Sequence, residues 1–272
     1  MKTKHIGYEV DGRVGVITLD RPEAANAQTM DMLDDLDEAW SRAAADDEVR
    51  VIVLRANGKH FSAGHDLRAT GPADVPDPIT LEYIYNIEAK RFLGYALRWR
   101  DIPKPSIAAV QGKCIAGGLL LCWPCDLIVA ADDAAFSDPV VAMGIAGVEY
   151  HGHTWEMGPR KAKELLFTGR PMLAEEAHQV GMVNRVVPRE RLDAETMALA
   201  DQMSGHHPFA LRQAKRAVNQ TLDVQGFYAA IQAVFDIHQT GHGHALSAAG
   251  FPVLIGLDEM KREVSKGDGA AR

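Results

Sequence analysis

Apolar and polar residues alternate from Ile6 through Tyr8 to Val10, Asp11-Gly12 supplies turn chemistry, and residues 14–19 resume the apolar run. This pattern predicts a β-hairpin, because successive side chains on a strand point to opposite faces. Past Arg21-Pro22 the period lengthens. Met30, Leu33, Leu36 and Trp40 recur at helical spacing, with Asp31, Asp34, Asp35 and Glu38 on the outer face. A helix over 30–45 follows, and Thr29 stands where a hydroxyl can cap it. Residues 49–54 read as a buried strand stopped by Asn57-Gly58. The same grammar recurs, predicting strands at 106–110, 127–130 and 183–187 and helices at 117–123, 161–168 and 174–179. From about residue 192 only helical periodicity is left, over 192–205, 208–222, 227–238 and 254–266. The first two thirds is therefore mixed α/β and the last quarter helical, with a boundary near residue 200. Residues 71–80 fit neither period. Pro72, Pro76 and Pro78 keep them out of helix and inner strand, which leaves a surface loop, either a plain connector or a lid beside the neighbouring glycine turn.

At 272 residues the chain can bury a core without disulfide or metal staples. Lys and Arg number 29 against 37 Asp and Glu, a net of −8, whereas phosphate backbones and anionic bilayers select the opposite sign. No nucleic acid and no membrane are expected as partners, although a small polyanion held by backbone N–H groups and a few cations is compatible with this charge. Cys114, Cys122 and Cys125 are odd in number and clustered, unlike a secreted disulfide framework. Cys122-Trp123-Pro124-Cys125 looks like a redox C-x-x-C, but small thiols between a helix and a buried strand read as core filling. No signal-peptide run follows Met1 and no stretch reaches the roughly 18 apolar residues of a spanning helix, so a cytoplasmic location is expected.

Two glycine-bearing turns follow apolar strands: Phe61-Ser62-Ala63-Gly64-His65-Asp66-Leu67 and Ile115-Ala116-Gly117-Gly118-Leu119. Small residues admit close backbone approach, and a helix starting there has unpaired N–H groups, which can stabilise negative charge on an oxygen. Neither turn matches the dinucleotide fingerprint or the P-loop. With Ile17-Thr18-Leu19-Asp20-Arg21-Pro22-Glu23, Asn26-Ala27, Lys104-Pro105, Ala108-Ala109-Val110-Gln111-Gly112, residues 125–130, Leu165-Leu166-Phe167-Thr168-Gly169-Arg170 and residues 177–187, they make a sequence that resembles the crotonase (enoyl-CoA hydratase/isomerase) family over nearly its whole length.

The resemblance implies an α/β fold, a crotonase-like spiral of ββα units over residues 1–200. A helical trimerisation region over 201–272 would follow, giving a homotrimer or a hexamer. It implies an acyl-CoA thioester as substrate in fatty-acid or related acyl-CoA metabolism, with no cofactor, since coenzyme A enters as part of the substrate. The N–H groups of His65 and Gly117 would form the oxyanion hole, and the backbone around Ala63, His65, Asp66 and Leu67 would hold the adenine. Arg68 stands where a cation often meets coenzyme A phosphates, or is a solvated surface residue. Gly118, Leu120 and Val140 would line the substrate site. Two of these positions depart from the family: the glutamates that hold water in its hydratases are replaced here by Leu120 and Val140. Aliphatic side chains move no protons.

Another acid could stand in. The resemblance implies where: family members that dehalogenate, dehydrate or isomerise often place a single carboxylate in the turn that here reads Gly147-Val148-Glu149-Tyr150-His151-Gly152-His153, which makes Glu149 the candidate general base or nucleophile, or else an exposed turn carboxylate. Asp138 is a second candidate, although Ser137-Asp138-Pro139 also reads as ordinary turn chemistry. His151 or His153 could pair with Glu149 and tune it. As an H-x-H they could also bind a metal, but the family needs none and no metal is expected. His242-Gly243-His244 reads as a polar connection in the helical tail, Lys215-Arg216 as helix surface, and His65 as a backbone contributor whose ring is an alternative catalyst. The reading is an enoyl-CoA hydratase/isomerase-type lyase. Its alternatives are an isomerase, hydrolase or other lyase using Glu149, and an acyl-CoA-binding protein without catalysis.

Overall fold

A computed structural model describes residues 1–68 and 76–269. β1 (Ile6–Asp11) and β2 (Val14–Leu19) form the expected antiparallel hairpin, and α1 (Met30–Ala45) begins where Thr29 accepts a hydrogen bond from the Met32 N–H. β3 (Val51–Ala56), β4 (Ser106–Val110), β6 (Leu127–Ala131) and β9 (Arg185–Val187) continue the sheet in parallel, in the order β1-β2-β3-β4-β6-β9. A smaller sheet holds β5 (Lys113–Ile115), β7 (Ala135–Ser137) and β8 (Met172–Leu173). β4-β5 and β6-β7 thus each place one strand in either sheet and then turn into a helix. These helices are α4 (Gly117–Cys122) and α5 (His153–Thr168), so successive units stack as a spiral.

The inner strands are apolar at most positions, apart from Thr18, Arg55 and Ser106 near their ends, because helices cover both faces, as parallel sheets require. Val14, Val16, Val51, Val53, Ile107, Ala109, Val129 and Ala131 face α7 (Leu192–Ser204) through Leu192, Leu199 and Ala200. The alternate positions Ile17, Leu19, Ile52, Leu54, Ala108, Val110, Ile128 and Ala130 join the larger core with α1. Cys114, Cys122 and Cys125 are buried free thiols of that core or its edge, as core filling predicts.

The structure differs from the periodicity in several places. Residues 81–101, to which periodicity alone assigns no element, form α2 (Leu81–Glu88), a π-helical turn (Ala89–Leu93) and α3 (Gly94–Asp101). Of the proline loop, residues 71–75 lie outside the described residues, and Thr80 caps α2. α5 starts eight residues before the apolar period, with a break at Gly158 (φ +75°) ahead of Pro159. α6 (Ala174–Gln179) is as expected. After α8 (Pro208–Val224), α9 runs unbroken from Phe227 to Ala249, so His242-Gly243-His244 is no connection. Gly241 is in this helix because the backbone must pass close: a Cβ there would lie 2.9 Å from Gly144 O. α10 (Leu257–Gly269) packs on the 3₁₀ turn at Pro139–Met143. Among the described residues no helix is long and apolar enough to cross a membrane.

Lys215 is not helix surface either. Its side chain is 6% exposed, and Nζ lies 2.9 Å from Asp126 Oδ2 and donates to Lys104 O at 3.1 Å, fastening α8 to the sheet. Burial pushes the Asp126 carboxyl up against the pull of that ammonium. Lys215→Ala leaves the carboxylate only the Ser106 N–H and hydroxyl, and losing a charge-assisted bond of a partly buried pair costs about 1.5–3 kcal/mol. Urea unfolding should show that loss, and Asp126→Asn in the same chain should recover part of it. A midpoint unchanged by Lys215→Ala would show that the pair holds nothing.

Candidate active site

The two glycine turns meet back to back. Ser62 Oγ donates to Asn26 O (2.9 Å) and accepts from the Gly64 N–H (3.2 Å), and the Ser62 N–H donates to Lys113 O across the gap between the turns. Gly64 has a φ of +88°, and a Cβ on it would lie 2.8 Å from Ile115 O and 3.2 Å from Gly117 N. On the other side Ala116 takes φ +46°, ψ −106°, a conformation costing a non-glycine residue about 1–3 kcal/mol, and α4 starts at the next residue. A Cβ on Gly117 would stand 2.8 Å from His65 Cε1 and 3.1 Å from His65 N, and one on Gly118 2.8 Å from Ser62 O. Only glycine fits there. The His65 and Gly117 N–H groups are thereby brought together, and neither donates to a partner among the described residues. Two unspent donors this close can hold an oxyanion.

The buried Gln28 amide ties the turns to each other. Its Nε2 donates to Gly117 O at 2.8 Å and to Ser62 Oγ at 3.1 Å, while its backbone accepts from the Asp66 N–H and donates to Gly64 O. Sequence reasoning missed this residue. A polar residue just before a helix cap carries no sign of a partner 89 positions away.

Glu149 is buried, not an exposed turn carboxylate. Gly147 O accepts from His238 Nδ1 (2.7 Å), and the Val148 N–H donates to Asp138 (2.7 Å), which together pin the turn. Glu149 Oε2 lies 3.2 Å from His65 Nε2, and Oε1 lies 3.8 Å from His238 Nε2. The His65 ring stacks on Phe92 at 3.9 Å, so the π-helical turn fixes its plane. The expected pairing of Glu149 with His151 or His153 is not formed. The His151 ring packs on His153 (4.2 Å) and against Gly147, its Nδ1 has no partner, and burial brings its pKa down to about 4. His153 Nε2 lies 3.0 Å from Asp138, which is buried and held below the usual carboxylate range by that ring despite burial. Asp138 is thus neither a simple turn residue nor free for proton transfer.

Beyond Glu149 the network continues into the helical tail. His238 Nε2 lies 3.2 Å from Glu88 Oε2, His242 Nε2 3.3 Å from Glu88 Oε1, and Gln239 Nε2 donates to Glu88 Oε2 at 2.6 Å. Burial opposes the charge on Glu88, but the two imidazoles outweigh it and hold the carboxyl low. Burial likewise pushes His238 down, yet Glu88 and Glu149 raise it to about 9. The four-residue spacing of His238 and His242 was a readable sign that they share a helix face. Nothing in the sequence points to Glu88.

The other expected residues fall as follows. Ala63 is half-buried, and its N–H donates to Ala25 O. The Asp66 carboxylate is taken by Arg21 Nη1 at 2.6 Å, which leaves the backbone of that turn to face a ligand. Leu67 and Arg68 are exposed. Leu120 is fully buried in the main core, and Val140 is half-buried on the 3₁₀ turn.

Comparison with known proteins bears on the family and the fold. The family model described as enoyl-CoA hydratase/isomerase matches residues 9–247. The chain is 44% identical over 278 aligned residues to a Mycobacterium tuberculosis protein named as an enoyl-CoA hydratase, covering 96% of this chain and 87% of that one. Among solved structures, a probable enoyl-CoA hydratase from Mycobacterium smegmatis superposes with a TM-score of 0.90 at 69% identity, covering 93% of this chain and all of that one. Another, from Mycobacterium thermoresistibile, gives 0.90 at 72% identity, covering 92% and 100%. The spiral fold that the family resemblance implies is therefore the fold of these proteins.

The amide of Gln28 generates a direct test. Gln28→Leu leaves Gly117 O and Ser62 Oγ short of a donor in a buried place, which costs about 1–3 kcal/mol. Chemical denaturation should register it. A loss below about 0.5 kcal/mol, the range of ordinary surface changes, would mean that the amide does not tie the turns.

Proposed function

The chain belongs to the enoyl-CoA hydratase/isomerase family, and from that premise we propose that it moves a proton on an acyl-CoA thioester through an enolate, with Glu149 as the acid/base. The observation that carries this reading is the 3.2 Å contact between Glu149 and the ring of His65, whose own N–H is half of the oxyanion pair. A carboxylate joined to the oxyanion hole sits beside the carbon whose acidity that hole raises.

The thioester carbonyl oxygen accepts from the His65 and Gly117 N–H groups. Glu149 removes a proton from the α carbon, and the electron pair of that C–H bond moves toward the carbonyl to give the enolate. Returning the same proton at the γ carbon of a β,γ-unsaturated ester shifts the double bond and leaves Glu149 as it began. One carboxylate is enough for this cycle, which suits a site where Leu120 and Val140 stand in place of two glutamates. Hydration is the second reading, favoured by the His65 imidazole on Glu149: carboxylate and ring could share the two proton transfers that adding water demands. The backbone of residues 63–67 supports a place for the adenine, with Arg68 exposed beside it for the phosphates. A homotrimer or hexamer fits α8, which exposes Phe209, Val218 and Val224 in the single chain.

Glu149→Gln keeps the shape and removes the base. With β,γ- and α,β-unsaturated acyl-CoA esters, kcat should drop about 10²–10⁴-fold while KM changes little. Equal rates in the two proteins would remove Glu149 from the mechanism. Tight binding of every ester with turnover of none would instead support the binding protein without catalysis.

A further inference from the structure

The cluster in the helical tail gathers three side chains that can bind a cation at one buried place. His238 Nδ1 donates to Gly147 O and His242 Nδ1 to Pro252 O, each at 2.7 Å, which leaves Nε2 as the free ring nitrogen of each. The two Nε2 atoms lie 3.0 Å apart, with Glu88 Oε2 and Oε1 at 3.2 and 3.3 Å from them. Two ring nitrogens and a carboxylate thus converge on one buried point.

We propose that Glu88, His238 and His242 form a binding site for a divalent transition-metal ion of the zinc class. Donors about 2.0–2.1 Å from a tetrahedral ion lie roughly 3.3 Å from one another; here one atom from each of the three residues lies within 4.8 Å of the others, with the two Nε2 atoms 3.0 Å apart and each 3.2–3.3 Å from one carboxylate oxygen. Two imidazoles and one carboxylate are a donor set that zinc accepts with a position to spare. The surroundings match as well. A ligating imidazole ordinarily gives its other N–H to a carbonyl or carboxylate, and a ligating carboxylate is itself hydrogen-bonded. Both rings do the first, and Gln239 does the second for Glu88 at 2.6 Å. His238 and His242 are one turn apart on α9, and Glu88 closes α2 at the π-helical turn, so an ion here clamps the tail onto the core. Glu149 Oε1, 3.8 Å from His238 Nε2, is a further donor within reach of the open position. The site is separate from the oxyanion pair and does not depend on which proton transfer Glu149 performs.

The test uses the full chain, stripped with a chelator and titrated with Zn²⁺ against a chromophoric indicator, then with Co²⁺ followed by its visible absorption. One ion per chain is expected, with the intense Co²⁺ bands of a four- or five-coordinate nitrogen and oxygen site. Affinity should fall more than about 100-fold in His242→Ala and about 10–100-fold in Gln239→Leu, whereas His244→Ala, an exposed residue of the same helix, should bind as the wild type does. If the alanine variant does not fold, the wild-type stoichiometry and Co²⁺ spectrum decide. Uptake of no ion by the stripped wild type, or equal uptake by a folded His242→Ala protein, would overturn the proposal.

Discussion

The site depends on one steric condition: two segments of backbone must approach within van der Waals contact, which they do only where three residues lack a Cβ. At positions 64, 117 and 118 an added carbon would fall 2.8 Å from a carbonyl oxygen or from the His65 ring. This approach places two N–H groups side by side without spending them on secondary structure. The left-handed Ala116 is part of the same arrangement: strain there is sustained because strand β5 holds the chain before it and helix α4 holds it after. The rest of the fold supplies stiffness to that junction. Two sheets carry the turns, and Gln28, which belongs to neither sheet, clasps both.

Around this junction the protein gathers ionisable groups at a depth where single charges are costly. Glu149 and Glu88 are buried, and a buried carboxylate is tolerable only with partners. Those partners come from two separate places: His65 on the first turn, and His238, Gln239 and His242 on the tail helix. A second pair, Asp138 with His153, holds the loop that carries Glu149. The two histidine–carboxylate sets divide the labour, one keeping the loop still and one surrounding the carboxylate that the loop presents.

Much of this was legible in the chain because it is local. The hairpin, α1 with its Thr29 cap, α6 and the central strands follow from apolar spacing within a few residues. The two glycine turns follow from their own composition. The glutamates replaced by Leu120 and Val140, and Glu149 in their stead, were legible only through the family resemblance. What could not be read is contact across long stretches of sequence. The nearest imidazole along the chain, His151, was the natural partner for Glu149, yet a turn two residues long aims it at Gly147 and His153 instead. The true partners lie 84 residues before, at His65, and far behind, at His238. Glycines 241 and 243 concealed the continuity of α9, since their composition suggests a break while their place demands a close pass.

The tail helix that completes the network follows the spiral core in the chain, so Glu88 and Glu149 are made before His238, Gln239 and His242. Until α9 docks, Glu149 has His65 alone and Glu88 lacks all three of these partners. A carboxylate without partners is costly to bury, so this flank of the core stays hydrated until the tail arrives. Sealing of the site is thereby coupled to completion of the fold.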